Sequence, residues 1–496
     1  MKNILVLLLT LKSLPIFSQT KSTVFSNYYQ ALTILNKSIE KHGGIENIKR
    51  DIQFSVNGVL YDLGHSYKPE DRNEWLLSEK YVFINSKDIL YQFGKIKNKE
   101  RVYKKASVFN QDSVFYFDYF DGNIKKGNQL TSNSMKDFLW NNLPTTILLE
   151  AFNQKTTLSY IGKEIINQNT YDVINFHSLS GIRYSIYINA NTLEFFKISQ
   201  LIYNDIYGDT FIESEFYNYK SINQLLLPAL RTDKEFGEIE KKITLSDYEF
   251  SNKIDSSIYF ICPNCKPIKQ EEKFNNILVD TIGKNLYLLK LTDFNNKIMI
   301  ANFSNYISVF EAPQGITLTN NIIRVIKKMF PNKLIKYCFV SHHHPDHAGG
   351  IRQYAKIGSA IVTTETNKDY FKKIINTSHT LNNEFDRASQ IKINLSFIGN
   401  QKNQKFNDTL NEVVAYNIGN STEHTQEYLV YYFPKEKIIF VGDLLYLPIN
   451  EEKHQTGIRE KALLNLITSK ELQVDKIYTS WPLKNQKEYG TISDLK

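Results

Sequence analysis

The strongest constraint on this chain lies at Ser341-His342-His343-His344-Pro345-Asp346-His347-Ala348-Gly349-Gly350. Four histidines and an aspartate fall within six positions, directly after the apolar run Ile335–Val340, which reads as a strand. A chance H-x-H-x-D-H is expected on the order of 10⁻⁴ to 10⁻³ times in a chain of this composition. His342 and His344 are two apart on a loop leaving a strand, so their imidazoles can converge on one ion. Neutral imidazole is the commonest protein ligand for zinc. Asp346 and His347 follow on the turn and can face a second ion or a bound water. Pro345 and Gly349-Gly350 suit a tight turn into a helix. His343 alternates away from this set and is given no metal role.

Composition sets the frame around this motif. The chain has 496 residues, 42% hydrophobic and 23% charged, enough for two or three domains with real cores. A net charge of +8 spread over this length is too dilute for a nucleic-acid footprint, so the expected partner is a small-molecule substrate and no nucleic acid. Three cysteines exclude a disulfide scaffold. Cys262-Pro263-Asn264-Cys265 is expected to clip a small loop at a domain junction, and Cys338 to be a buried hydrophobe. Met1-Lys2-Asn3 followed by the apolar run Ile4–Leu11 reads as a secretory signal over residues 1–19. Lys12 ends that run well short of the ~20 residues a spanning helix needs, and the chain is not expected to cross a membrane. The expectation is export to the periplasm or the exterior.

The remainder changes period part-way. Tyr28, Leu32, Leu35 and Ile39 recur at helical spacing before Gly43-Gly44. Short β-type runs follow, at Ile52–Val56, Tyr81–Ile84, Ser113–Phe117, Arg183–Ile188, Phe195–Ile198 and Thr210–Phe216, with turn-forming clusters between them. This regular spacing predicts a curved antiparallel sheet over residues 20–262. Residues 263–275, rich in Pro, Lys, Glu and Asn, read as a linker. From 276 to 496 strands and helices alternate: Leu286–Leu289 and Lys297–Ile300 as strands, Leu318–Met329 as a helix. That pattern implies sheets covered by helices.

The first half faintly resembles the half-barrel of lipoprotein-carrier proteins, in which hairpins wrap an apolar cavity around a helix, and Tyr187–Leu227 fits it best. That region reads either as an apolar-ligand or docking module or as a packing scaffold. The second half resembles the metallo-β-lactamase superfamily, whose defining motif is H-x-H-x-D-H after an apolar strand. Asn420-Ser421-Thr422-Glu423-His424-Thr425 resembles the third motif of that family, and Ile438-Ile439-Phe440-Val441-Gly442-Asp443 the fourth. The resemblance implies an α+β chain in which a C-terminal αββα sandwich follows the curved-sheet domain. It implies that His342, His344 and His424 hold a first ion, and that Asp346, His347 and Asp443 hold a second.

One position departs from the family. The late strand Lys476–Thr479 runs into Ser480-Trp481-Pro482, and Trp481 stands where the last ligand histidine belongs. An indole nitrogen only donates and cannot ligate. His454, in a polar loop, reads as a solvated residue. The implied cofactor is Zn²⁺, one or two ions, with iron or manganese as substitutes. The implied chemistry is hydrolysis of an ester, thioester, lactone or amide by a metal-activated hydroxide, with Asp346 catalytic and the second site incomplete. Two other readings stay open: a mononuclear iron sulfur dioxygenase-like enzyme using His342, His424 and Asp443, and a decayed binding protein.

Overall fold

The computed structural model describes residues 22–62, 64–98, 102–111, 113–119, 122–250, 265–267, 277–382, 391–449 and 456–496. The expected leader, Cys262 and His454 lie outside the described residues, as do positions 263–264 and 268–275 of the expected linker. Among the described residues no helix is long and apolar enough to cross a membrane.

The first half builds one fourteen-stranded sheet. It consists of two antiparallel meanders, from Ile52 to Lys126 and from Ser159 to Phe250, joined where Ile52–Asp62 pairs with Glu238–Phe250. Three helices pack against it: Thr23–Lys41, Gln129–Trp140 and Pro144–Asn153. The last two are absent from the sequence reading. Thr, Ser, Asn and Asp interrupt the first of them, and the second is only ten residues long, so tertiary packing rather than propensity selects helix there. Ala31, Leu35, Ile39, Trp140, Leu143, Ile147 and Leu148 are buried against Phe54, Phe176, Ile186, Phe195 and Phe216 of the sheet. The chain's own helices therefore occupy the concave side of the sheet, the arrangement the half-barrel resemblance implies. Cys265 is disulfide-bonded. Lys266–Pro267 pairs in parallel with Asn123–Ile124, so the middle of the expected linker is an added edge strand, seated where Lys266 N–H reaches Gly122 O.

The second half is the expected sandwich. A seven-stranded sheet from Ile277 to Phe397 faces a five-stranded sheet from Asn403 to Thr479. Strand alternation separates the two faces. Met299 and Phe339 point to the opposite sheet, meeting Leu429, Tyr431, Phe433 and Phe440. Ile298, Ile300 and Cys338 point outward under the helices Ile316–Met329, Ile351–Lys356 and Lys368–Ile375. Cys338 is free and fully buried, as expected. The helix Ile458–Ser469 covers the second sheet through Leu463, Leu466 and Ile467. The strands Leu334–Phe339, Ile438–Val441 and Lys476–Thr479 all end at one edge of the sandwich, and the loops that leave them meet there.

Candidate metal centre

Two of the histidines at this edge, His342 and His344, are oriented through the nitrogen that faces away from the centre. His342 turns Nδ1 to Ser341 Oγ at 2.9 Å, leaving Nε2 to point inward. His344 places Nε2 at 2.9 Å from Ser66 O. A carbonyl can only accept, so that nitrogen carries the proton and Nδ1 keeps the lone pair a cation needs. His424 Nε2 lies 3.2 Å from His342 Nε2 and 2.9 Å from Asp443 Oδ2. Burial, reinforced by the neighbouring histidines, holds His342 and His344 well below the usual imidazole range, which keeps both rings neutral and able to ligate. Donor atoms of His342, His344 and His424 converge within 4.8 Å, as do those of His342, His347 and Asp443.

Asp443 leaves the strand Ile438–Val441 through Gly442. A Cβ at Gly442 would sit 2.3 Å from the Tyr428 hydroxyl, so only glycine lets these groups approach. Tyr428 donates to Asp443 Oδ1 at 3.0 Å and accepts from Asp443 N–H at 2.9 Å. Arg459 donates to Asp443 Oδ2 at 3.0 Å. Burial alone would raise the Asp443 carboxyl, but the charges of His424, His347 and Arg459 outweigh it and hold it ionised far below the usual range.

His347 is fully buried, 3.4 Å from Asp346 Oδ2 and 3.5 Å from the fully buried Glu311. Neither ring nitrogen of His347, nor Asp346 Oδ1, has a hydrogen-bond partner. Three carboxylates thus surround buried imidazoles whose donor atoms are unspent. Unpaired buried polar atoms are costly, and this donor set suits a divalent cation of the zinc class.

Residues 327–481 match the family model of the metallo-beta-lactamase superfamily. The C-terminal domain belongs to that superfamily. Among solved structures, the chain is similar to a metallo-beta-lactamase from Pontibacter korlensis, with 17% identity, 44% of this chain and 95% of that one covered, and a TM-score of 0.33. It is similar to the metallo-beta-lactamase FIM-1 from Pseudomonas aeruginosa in its mono-zinc form, at 14% identity, 44% and 91% coverage and a TM-score of 0.32. A putative outer membrane lipoprotein-sorting protein domain from Vibrio parahaemolyticus aligns at 11% identity, over 47% of this chain and 97% of that one, with a TM-score of 0.34. No curated protein matches the chain.

All six expected ligands of the metallo-beta-lactamase domain stand at this edge: His342, His344, Asp346, His347, His424 and Asp443. His343 is outside both convergent sets. It is buried against His344 and Tyr370, and burial pushes its imidazole down to about 3. Trp481 follows the late strand and lines a cleft of about 700 Å³ beside Asp443, Arg459, Glu423 and Tyr446. The sequence reading missed four contributors. Tyr428 and Arg459 hold Asp443, as above. Asn296 joins the motif loop to the late strand, donating to Asp346 O at 2.9 Å and accepting from Ser480 Oγ at 2.6 Å. The fourth is the turn at His65-Ser66-Tyr67, which belongs to the N-terminal domain. It supplies Ser66 O to His344, Tyr67 O to Gln426 N–H at 2.9 Å, and places His65 Nε2 3.6 Å from Asp346 Oδ1. Gly64-His65 was the only visible signal, and nothing local tied it to a motif nearly 280 residues later.

Proposed function

We propose that this chain is a metal-dependent hydrolase that cleaves a small ester, thioester, lactone or amide. One observation carries the reading: two sets of three donor atoms converge beside an open cleft, with buried nitrogens and a carboxylate oxygen left unpaired. When bound, the ion supplies an electrophile and lowers the pKa of water toward ~7. His342, His344 and His424 are the first-site ligands; Ser66 O fixes the tautomer of His344, and Ser341 Oγ orients the ring of His342. Asp346 Oδ1 is the acceptor for the proton that water gives up, since it is ionised and unspent. Burial would raise that carboxyl, but the positive charges of the neighbouring His347 and His65 outweigh it and hold it well below the usual range. Arg459, Tyr446 and Trp481 line the cleft through which substrate reaches this edge.

Metal analysis of the purified full-length chain, beside a His342→Ala/His344→Ala variant, tests the reading. At least one ion per chain is expected, lost in the variant together with hydrolysis of chromogenic ester and lactam probes. Less than about a tenth of an ion per chain in the unaltered protein would sink it.

A further inference from the structure

The metallo-beta-lactamase domain lacks a histidine after its late strand, yet a histidine from another part of the chain comes up to Asp346, beside the convergent set His342, His347 and Asp443. His65 lies in the turn between the strands Ile52–Asp62 and Asn73–Ile84 of the N-terminal domain. Its Nε2 faces Asp346 Oδ1 at 3.6 Å, and its ring packs 5.2 Å from His344. On the other flank of Asp346, Oδ2 is 3.4 Å from His347 Nε2. Two donors each ~2.0–2.1 Å from one tetrahedral ion stand ~3.3–3.4 Å apart, so each gap is near ligand spacing; the two fall on different oxygens of Asp346, and that carboxylate would have to bridge or turn to join His65 and His347 at one ion. Asp346 Oδ1 and both nitrogens of His347 have no hydrogen-bond partner. The far nitrogen of His65, Nδ1, faces the Asp62 carboxylate at 3.9 Å, a charge contact longer than a hydrogen bond.

The turn is held in place on both sides. Ser66 O accepts from His344, and Tyr67 O accepts from Gln426 N–H, two residues past His424. Gly64 has φ +92°, and a Cβ there would meet Pro345 Cγ at 3.0 Å and the Tyr207 hydroxyl at 3.2 Å. The close approach to the motif loop therefore depends on glycine. We propose that His65, carried by the N-terminal domain, is a ligand of the second metal ion and takes the place of the histidine that Trp481 displaces. This rests on the hydrolase reading above, and it makes the second site a product of both domains.

The experiment is metal stoichiometry on the full-length chain, equilibrated with Zn²⁺ and desalted, with the visible spectrum of the Co²⁺-substituted protein as a second readout. The unaltered chain is expected to hold two ions and His65→Ala one. His65→Asp, which keeps a ligating group, should hold two. Adding Trp481→His to His65→Ala should restore the second ion. The ion kept by His65→Ala is the internal control for folding, since the side chain of His65 is 47% exposed and its truncation leaves no core cavity. Two ions retained by His65→Ala would overturn the assignment. A single ion in the unaltered chain would overturn it too, while leaving the hydrolase reading standing. No ion at all would overturn both.

Discussion

Tyr428 shows how far a site depends on residues that ligate nothing. Its hydroxyl both donates to the Asp443 carboxylate and accepts from the Asp443 backbone, so it sets the position and the rotamer of a ligand at once. It is fully buried and its ring stacks on His342 at 4.8 Å, which keeps it there. Tyr428→Phe preserves the packing and removes only the hydroxyl. Metal affinity, measured by competition with a chromophoric chelator, is expected to fall about 10- to 100-fold, with thermal stability little changed. An unchanged affinity would mean that Arg459 alone orients Asp443. Asp443 was visible because Gly-Asp at the end of an apolar strand follows the first motif in the order of the family it resembles. Tyr428 was not, since an isolated tyrosine inside the run Tyr428–Phe433 looks like any core aromatic.

At the scale of elements, the N-terminal helix shows the same split between pattern and context. Its span was readable from apolar residues at helical spacing and from Gly43-Gly44. Its last contact was not. His42 caps the helix, with Nδ1–H donating to Ser38 O at 2.8 Å and Nε2 facing Phe195 N–H at 3.5 Å across the sheet. Burial pushes this imidazole down from 6.5 to about 4, against a smaller opposing pull from Ser38. The unfolded chain therefore binds a proton here that the folded chain refuses. The stability tied to neutral His42 is fully present above pH ~6.5 and is lost as pH falls toward ~4, on the order of 3 kcal/mol across that window. Urea unfolding of the full chain at a series of pH values should show this slope, and His42→Gln should flatten it. A slope identical in the variant would assign the acid sensitivity to other groups. The helices Gln129–Trp140 and Pro144–Asn153 were illegible for a related reason: what makes them helical is the concave sheet they fill, and that sheet is assembled from strands on both sides of them.

For the whole molecule, the decisive feature is how the two halves are fastened. Asp205 accepts from Thr317 N–H at 3.1 Å and Thr317 Oγ1 at 2.9 Å, and Asp209 accepts from Thr380 N–H at 2.8 Å and Leu381 N–H at 3.1 Å. The Tyr207 and Tyr370 hydroxyls meet at 3.1 Å between them. These bonds lie at exposed positions, where each is worth about 1 kcal/mol or less, so the fastening depends on their number. Since the same seam carries Ser66 O to His344, docking and metal retention are coupled. Asp205→Ala combined with Asp209→Ala is expected to speed loss of the metal to excess chelator several-fold, though neither residue touches a ligand. Unchanged release would show that the turn at His65–Tyr67 stays seated on its own.

What the linear chain determined by itself is whatever chemistry imposes at short range. The spacing His342-x-His344-x-Asp346-His347 follows from the need to bring several donors to one point from a single loop. The β-grammar of the first half and the alternating grammar of the second follow from periodicities of two and 3.6 residues. Those properties are carried by neighbours in sequence, so they survive without a structure. The partners that orient the ligands, the helices that fill the concave sheet, and the arrival of His65 beside Asp346 depend on contacts between residues far apart in the chain. Only the folded packing of two domains brings such groups within a few ångströms, and so only the tertiary structure could bring a turn of the first half against the candidate metal centre of the second.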